Sequence, residues 1–198
     1  KLSLSVVPTI GARIFSVVDK RSGRDFLIQP DVDEPRYSMR AGFKTGPVQN
    51  EVFYHSLDES RNGNRITLKG FLTNNSHARL HNSFLMTQEI TLPENESVID
   101  FSITMEALLP IDRPQSVSPQ MGLLLGKAED IKVGVKNASG GYDLVDLTSP
   151  QGDEEERNSR EFRERELRNG SWCIVNPKEN IGIVVDFDPE QITSCSAY

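Results

Sequence analysis

Residues 83–92 and 98–107 each alternate apolar and polar side chains with a period of two. That period fits a half-buried β-strand and excludes an amphipathic helix. In the first run Phe84, Met86, Gln88 and Ile90 share one face. In the second, Ile99, Phe101, Ile103 and Met105 oppose Val98, Asp100, Ser102, Thr104 and Glu106. The intervening Pro93-Glu94-Asn95-Glu96-Ser97 carries turn chemistry, so an antiparallel hairpin with one dry and one wet face is expected. Residues 51–57 and 65–72 are expected as strands around a polar turn at 58–64, and 121–125, 131–135 and 142–147 as further short strands. A last hairpin is expected from 171–175 and 181–187. Pro110, Pro114 and Pro119 bar a helix between 108 and 119. With no sustained helical spacing and no solenoid-length repeat, the chain is expected to fold as an all-β, antiparallel two-sheet sandwich.

Residues 151–169 break this period. Their composition favours a helix, with Glu156/Arg160 and Glu161/Arg165 at i,i+4 spacing and the acid first. Only Phe162 and Leu167 could dock such a helix, so the segment is expected as a charged surface excursion containing at most one short helix.

The length of 198 residues suits one all-β domain spanning 1–198, large enough to bury its core without a disulfide or metal. A formal net charge of −7 argues against a nucleic-acid partner. No apolar run nears the roughly 20 residues of a membrane span. The chain begins at Lys1, without Met or a signal peptide, and is expected to be a piece of a longer protein with further domains. An extracytoplasmic setting is slightly favoured. Cys173 and Cys195 allow either a disulfide or two free thiols. No zinc-ligand spacing accompanies them, and no cofactor or metal is expected. Asp31, Asp33 and Glu34 offer hard oxygens for calcium but lack the spacing of a calcium loop, and Pro30 and Pro35 describe a charged bend. N-x-S/T triplets begin at Asn74, Asn95, Asn137 and Asn169.

The first residues carry the most specific pattern. Pro8-Thr9-Ile10-Gly11-Ala12-Arg13-Ile14 is followed by Asp19-Lys20-Arg21-Ser22-Gly23-Arg24-Asp25. By themselves these are two strands joined by a polar turn at 20–23, with Gly11 inside the first strand marking a bulge or close backbone approach. The stretch resembles the opening hairpin of the galactose mutarotase-like family, whose members read P-x-x-G-(G/A)-R-I and then D-K-x-(S/T)-G-x-(D/E). Residues 170–190, with Trp172 early and Phe187-Asp188-Pro189 late, are similar to a late hairpin of the same family.

The resemblance implies a β-supersandwich, two large antiparallel sheets curved around a sugar-sized groove, and carbohydrate as the partner. Enzymes of the family interconvert sugar anomers. A Glu takes the proton of the anomeric hydroxyl and a His protonates the ring oxygen. The same fold also serves as a non-catalytic accessory domain beside glycoside hydrolases and polysaccharide lyases. This chain is shorter than a full mutarotase domain, and its histidines do not align with a catalytic motif. The resemblance therefore implies first a carbohydrate-associated, non-catalytic domain. An aldose 1-epimerase-like enzyme comes second, and a structural interface module third.

Six side chains are candidates to line a sugar groove: Arg13, His55, His77, Arg79, His81 and Trp172. Arg13 offers a bidentate grip on hydroxyls or a structural ion pair, and Trp172 either stacks on a pyranose or fills the core. His77, Arg79 and His81 sit in turn-like sequence, and His55 follows Phe53-Tyr54 on an expected strand. No catalytic pair is assigned, although Glu190 is a late carboxylate that could act as a base. Serine-hydrolase, P-loop and dinucleotide motifs are absent.

Overall fold

The computed structural model describes residues 1–28, 42–46, 52–60, 63–72, 84–108, 110, 117–147 and 159–197. The chain divides into two compact units, Lys1–Leu124 and Leu125–Tyr198.

The first unit contains β1 (Leu2–Val7), β2 (Arg13–Asp19), β3 (Phe43–Gly46), β4 (Tyr54–Ser60), β5 (Gly63–Leu72), β6 (Phe84–Pro93), β7 (Asp100–Ala107) and β8 (Ser118–Met121). They form two four-stranded sheets, β1-β2-β3-β8 and β4-β5-β6-β7, in which every pairing is antiparallel. The two sheets share one apolar core. Ile14, Leu4, Val6 and Val17 enter it from the first sheet, and Leu68, Phe84, Met86 and Ile90 from the second. Phe43 and Phe101 meet edge to face inside it, with ring centroids 4.7 Å apart. The hairpin read from 83–107 is present, with its register running from Phe84↔Ala107 to Thr91↔Asp100. Phe84, Met86, Gln88 and Ile90 are all buried, as the alternation requires.

A register shift between Ser5 and Val6 leaves Phe15 as the extra residue of β2. The bulge reverses the pleat, which lets both Ile14 and Val17 face the core although they lie three positions apart. Gly11 is not within a strand. It lies in the tight connection between β1 and β2, where Gly11 (φ 63°) and Ala12 (φ 52°) both adopt the left-handed conformation. Extended pairing is incompatible with that φ, so the strand before the 20–23 turn starts only at Arg13, as β2, and its partner is Leu2–Val7.

The acids of the opening pattern have backbone partners. The Asp19 carboxylate accepts from the Arg21 N–H (3.1 Å) and the Ser22 hydroxyl (2.8 Å), closing the turn, and these bonds hold its pKa down. Asp25 accepts from the Ser16 hydroxyl (2.7 Å) and from the N–H groups of Val17 and Leu27 (both 3.1 Å). The pattern thus encodes a turn and the strand return behind it.

Gly70 lies on the inner side of β5 against Phe53, which is 2% exposed. A Cβ at this position would sit 2.8 Å from the ring. Gly70→Ala is expected to destabilise the protein by about 1–2 kcal/mol through overpacking, read as a lower urea midpoint at unchanged slope.

The second unit contains β9 (Lys132–Lys136), β10 (Tyr142–Asp146), β11 (Arg160–Arg163), β12 (Ser171–Asn176), β13 (Ile181–Asp186) and β14 (Ser194–Ala197). One sheet runs β10-β9-β12-β13 and a two-stranded one pairs β11 with β14, again antiparallel throughout. Strand β12 is buried along Ser171, Trp172, Cys173 and Ile174, so both its faces are covered. The described part of 151–169 contains no helix. Residues Arg160–Arg163 form a strand, because Phe162 opposite Cys195 buries its ring and Leu167 is 1% exposed. Tertiary burial overrides the local helix preference. Arg163 pairs with Glu161 at 2.9 Å in place of the helical Glu161/Arg165 pair. Residue 156 and the acidic loop at 31–34 lie outside the described residues.

Both cysteines are free thiols. Burial pushes the Cys195 thiol from 9.0 up to about 11 and raises Cys173 as well. In the unfolded chain the Cys195 proton leaves first, so between those two values the folded state binds more protons. Stability from this group is therefore lost as pH rises through that window. Near neutral pH, Cys195 is expected to react with iodoacetamide more slowly in the folded protein than in denaturant, with mass spectrometry as the readout.

Candidate functional site

The candidate residues are dispersed. Arg13 is 2% exposed, with its aliphatic stem beneath the Gly42 backbone and its guanidinium 5.5 Å from the Phe15 ring centre. Burial lowers its pKa without removing its charge. Trp172 is 6% exposed between Val135 and Val185 on the flanking strands. Its indole N–H has no hydrogen-bond partner among the described residues. Neither side chain offers a face to a ligand: Trp172 fills the core position that the sequence left open, and Arg13 is buried against Phe15 and Gly42. His77, Arg79 and His81 lie outside the described residues. His55 is exposed on β4, opposite Leu68, and so stands on the side of the sheet that carries the core.

Glu190 follows Pro189 in a single 3-10 turn capped by the Asp188 carboxylate, which accepts the Glu190 N–H at 3.0 Å. It lines an open depression with Glu164, Arg165, Arg168 and Pro189. The one described histidine, His55, belongs to the other unit.

A different constellation emerges on the outer face of the β4-β5-β6-β7 sheet. Ladder register places Tyr54 opposite Lys69, then Thr87, then Thr104, in one row across the four strands. The adjacent row holds Phe71, Leu85 and Glu106. Cross-strand partners point to the same side, and Leu68, Gln88 and Ile103 fill the opposite one, so both rows face away from the core. Tyr54 is 77% and Phe71 47% exposed, a large apolar area for the polar face of a sheet. They are diagonal neighbours, about 7–8 Å apart by strand geometry, and Lys69 adjoins both, opposite Tyr54 and two positions from Phe71.

Away from the rings the face becomes polar. Asp58 lies opposite Arg65, whose Nε donates to the Thr91 hydroxyl at 3.3 Å. The rings supply flat apolar area with one phenol, and Lys69, Thr87 and Thr104 supply donors and acceptors on the same side.

Sequence reading passed over Tyr54 and Phe71. For Phe71 the signal is an aromatic residue at a position whose parity in the β5 alternation is polar. No group of three or more metal-ligating side chains occurs among the described residues. No helix among them is long and apolar enough to cross a membrane. Comparison with protein families, curated proteins and solved structures found no match.

Proposed function

We propose that this chain is a carbohydrate-binding, non-catalytic β-sandwich domain of the galactose mutarotase-like type, with the outer face of the β4–β7 sheet as its glycan platform. The observation that carries the reading is the exposed pair Tyr54 and Phe71 flanking Lys69 on that face. Stacking on a pyranose needs flat apolar area, and orienting it needs adjacent polar groups. The supersandwich type rests on the pattern at 8–25 and 170–190. An aldose 1-epimerase is the second reading, favoured by Glu190 beside Glu164, Arg165 and Arg168 in one depression.

A glycan-array screen run beside a mutarotation assay on several aldoses separates these readings. Binding without turnover is the expected result. Catalysed mutarotation that disappears in Glu190→Gln would replace the binding domain with the enzyme. Neither binding nor turnover would leave a structural interface module.

A further inference from the structure

We propose that the outer edge of β4 pairs with β4 of a second copy of this chain, joining two four-stranded sheets into one continuous antiparallel sheet. Among the described residues β4 is a terminal strand of its sheet. A terminal strand presents a row of backbone N–H and C=O groups ready to pair, and proteins usually blunt it with lysine, proline or a bulge. The strand Tyr-His-Ser-Leu-Asp-Glu-Ser has neither residue, and it pairs with β5 from Tyr54↔Lys69 to Ser60↔Gly63 without a register shift. Side chains 54–59 are exposed on both faces, including Leu57 at 60% on the side that elsewhere carries the core.

The residue pattern selects the partner and the register. A two-fold axis normal to the sheet makes one residue of β4 its own counterpart. Centring on Asp58 would set two carboxylates directly opposite each other, which opposes pairing. Centring on Ser56 would set His55 against Leu57 and Tyr54 against Asp58. Centring on Leu57 sets Leu57 against Leu57 and places a His55–Glu59 pair on each side of it. These three residues share one face by alternation, and all are exposed in the single chain. Imidazole donates an N–H to a carboxylate in either protonation state, so the two polar pairs satisfy each other while the leucines leave water. The strand is thus self-complementary in one register, as an isologous interface requires. The outer face, with Tyr54 and Phe71, stays open in the joined sheet. The inference does not depend on what that face binds.

Sedimentation velocity of the whole chain, up to millimolar concentration, tests the association. The weight-average mass is expected to rise from monomer toward dimer. Leu57→Lys, which sets two ammonium groups opposite each other, is expected to stay monomeric with an unchanged far-UV circular dichroism spectrum. Mild oxidation tests the register in a way that survives a folding defect in the lysine variant. Leu57→Cys is expected to give a disulfide-linked dimer. Asp58→Cys, opposite Ser56, and the parent chain with Cys173 and Cys195 alone are expected to give none. A chain that is monomeric throughout, or a dimer that Leu57→Lys leaves intact and Leu57→Cys fails to trap, would overturn the proposal.

Discussion

Met86→Ala is expected to cost about 4 kcal/mol of stability. Met86 is fully buried on β6, a central strand, between Gly70 on β5 and Met105 on β7. Gly70 has no side chain to move into the space, so the site collapses poorly and the cavity term stays large. The truncation has a second effect. The Gln88 amide, 1% exposed, donates to the Met86 sulfur at 3.5 Å and would lose that acceptor. Urea denaturation followed by far-UV circular dichroism measures the loss. Glu89→Ala on the opposite face of the same strand is exposed and should change stability by less than about 0.5 kcal/mol. Equal losses at the two positions would contradict the assignment of dry and wet faces.

In the second unit, Asn176→Ala is expected to destabilise by about 3 kcal/mol, because several backbone groups lose a partner at once. The side chain is 1% exposed at the end of β12. Its amide donates to the Leu125 carbonyl at 2.7 Å, and its own oxygen accepts from the N–H groups of Lys178 (3.0 Å) and Glu179 (3.2 Å). One residue thereby closes the β12–β13 turn and ties it to the start of the unit. Trp172 is the only tryptophan and sits on the same strand, so its fluorescence reports this unfolding. Asn176→Asp is the informative companion. It keeps the acceptor for the two N–H groups, loses the donor to Leu125 and places a carboxylate beside that carbonyl oxygen.

Period two was a sufficient signal wherever one face of a strand is dry. The β6–β7 hairpin and its buried set are read directly in this way, whereas the β12–β13 hairpin is read from two apolar runs around a polar turn, since β12 is covered on both faces. Four features are hidden for physical reasons. The opening pattern looks like strand by composition, but Gly11 and Ala12 take left-handed φ, and φ at Ala12 is not visible in a residue type that ordinarily avoids it. The Arg160–Arg163 strand lies in sequence with helix preference and was decided by Phe162 finding cover opposite Cys195. Arg13 and Trp172 drew attention by residue type, whereas burial is set by neighbours distant in sequence: Gly42 for the first, Val135 and Val185 for the second. Tyr54 and Phe71 needed the β4–β5 register before they could be placed on one face.

The glycan platform is tested most directly by titrating the strongest array oligosaccharide into the parent chain and into Tyr54→Ala, Phe71→Ala and the double variant, by calorimetry. Both rings stand in solvent on the outer face, so their removal leaves the core untouched. Each single truncation is expected to weaken binding about tenfold or more, corresponding to at least about 1.4 kcal/mol, and the double variant to abolish it. Unchanged affinity in a folded double variant would contradict the account and move the binding surface elsewhere on the chain.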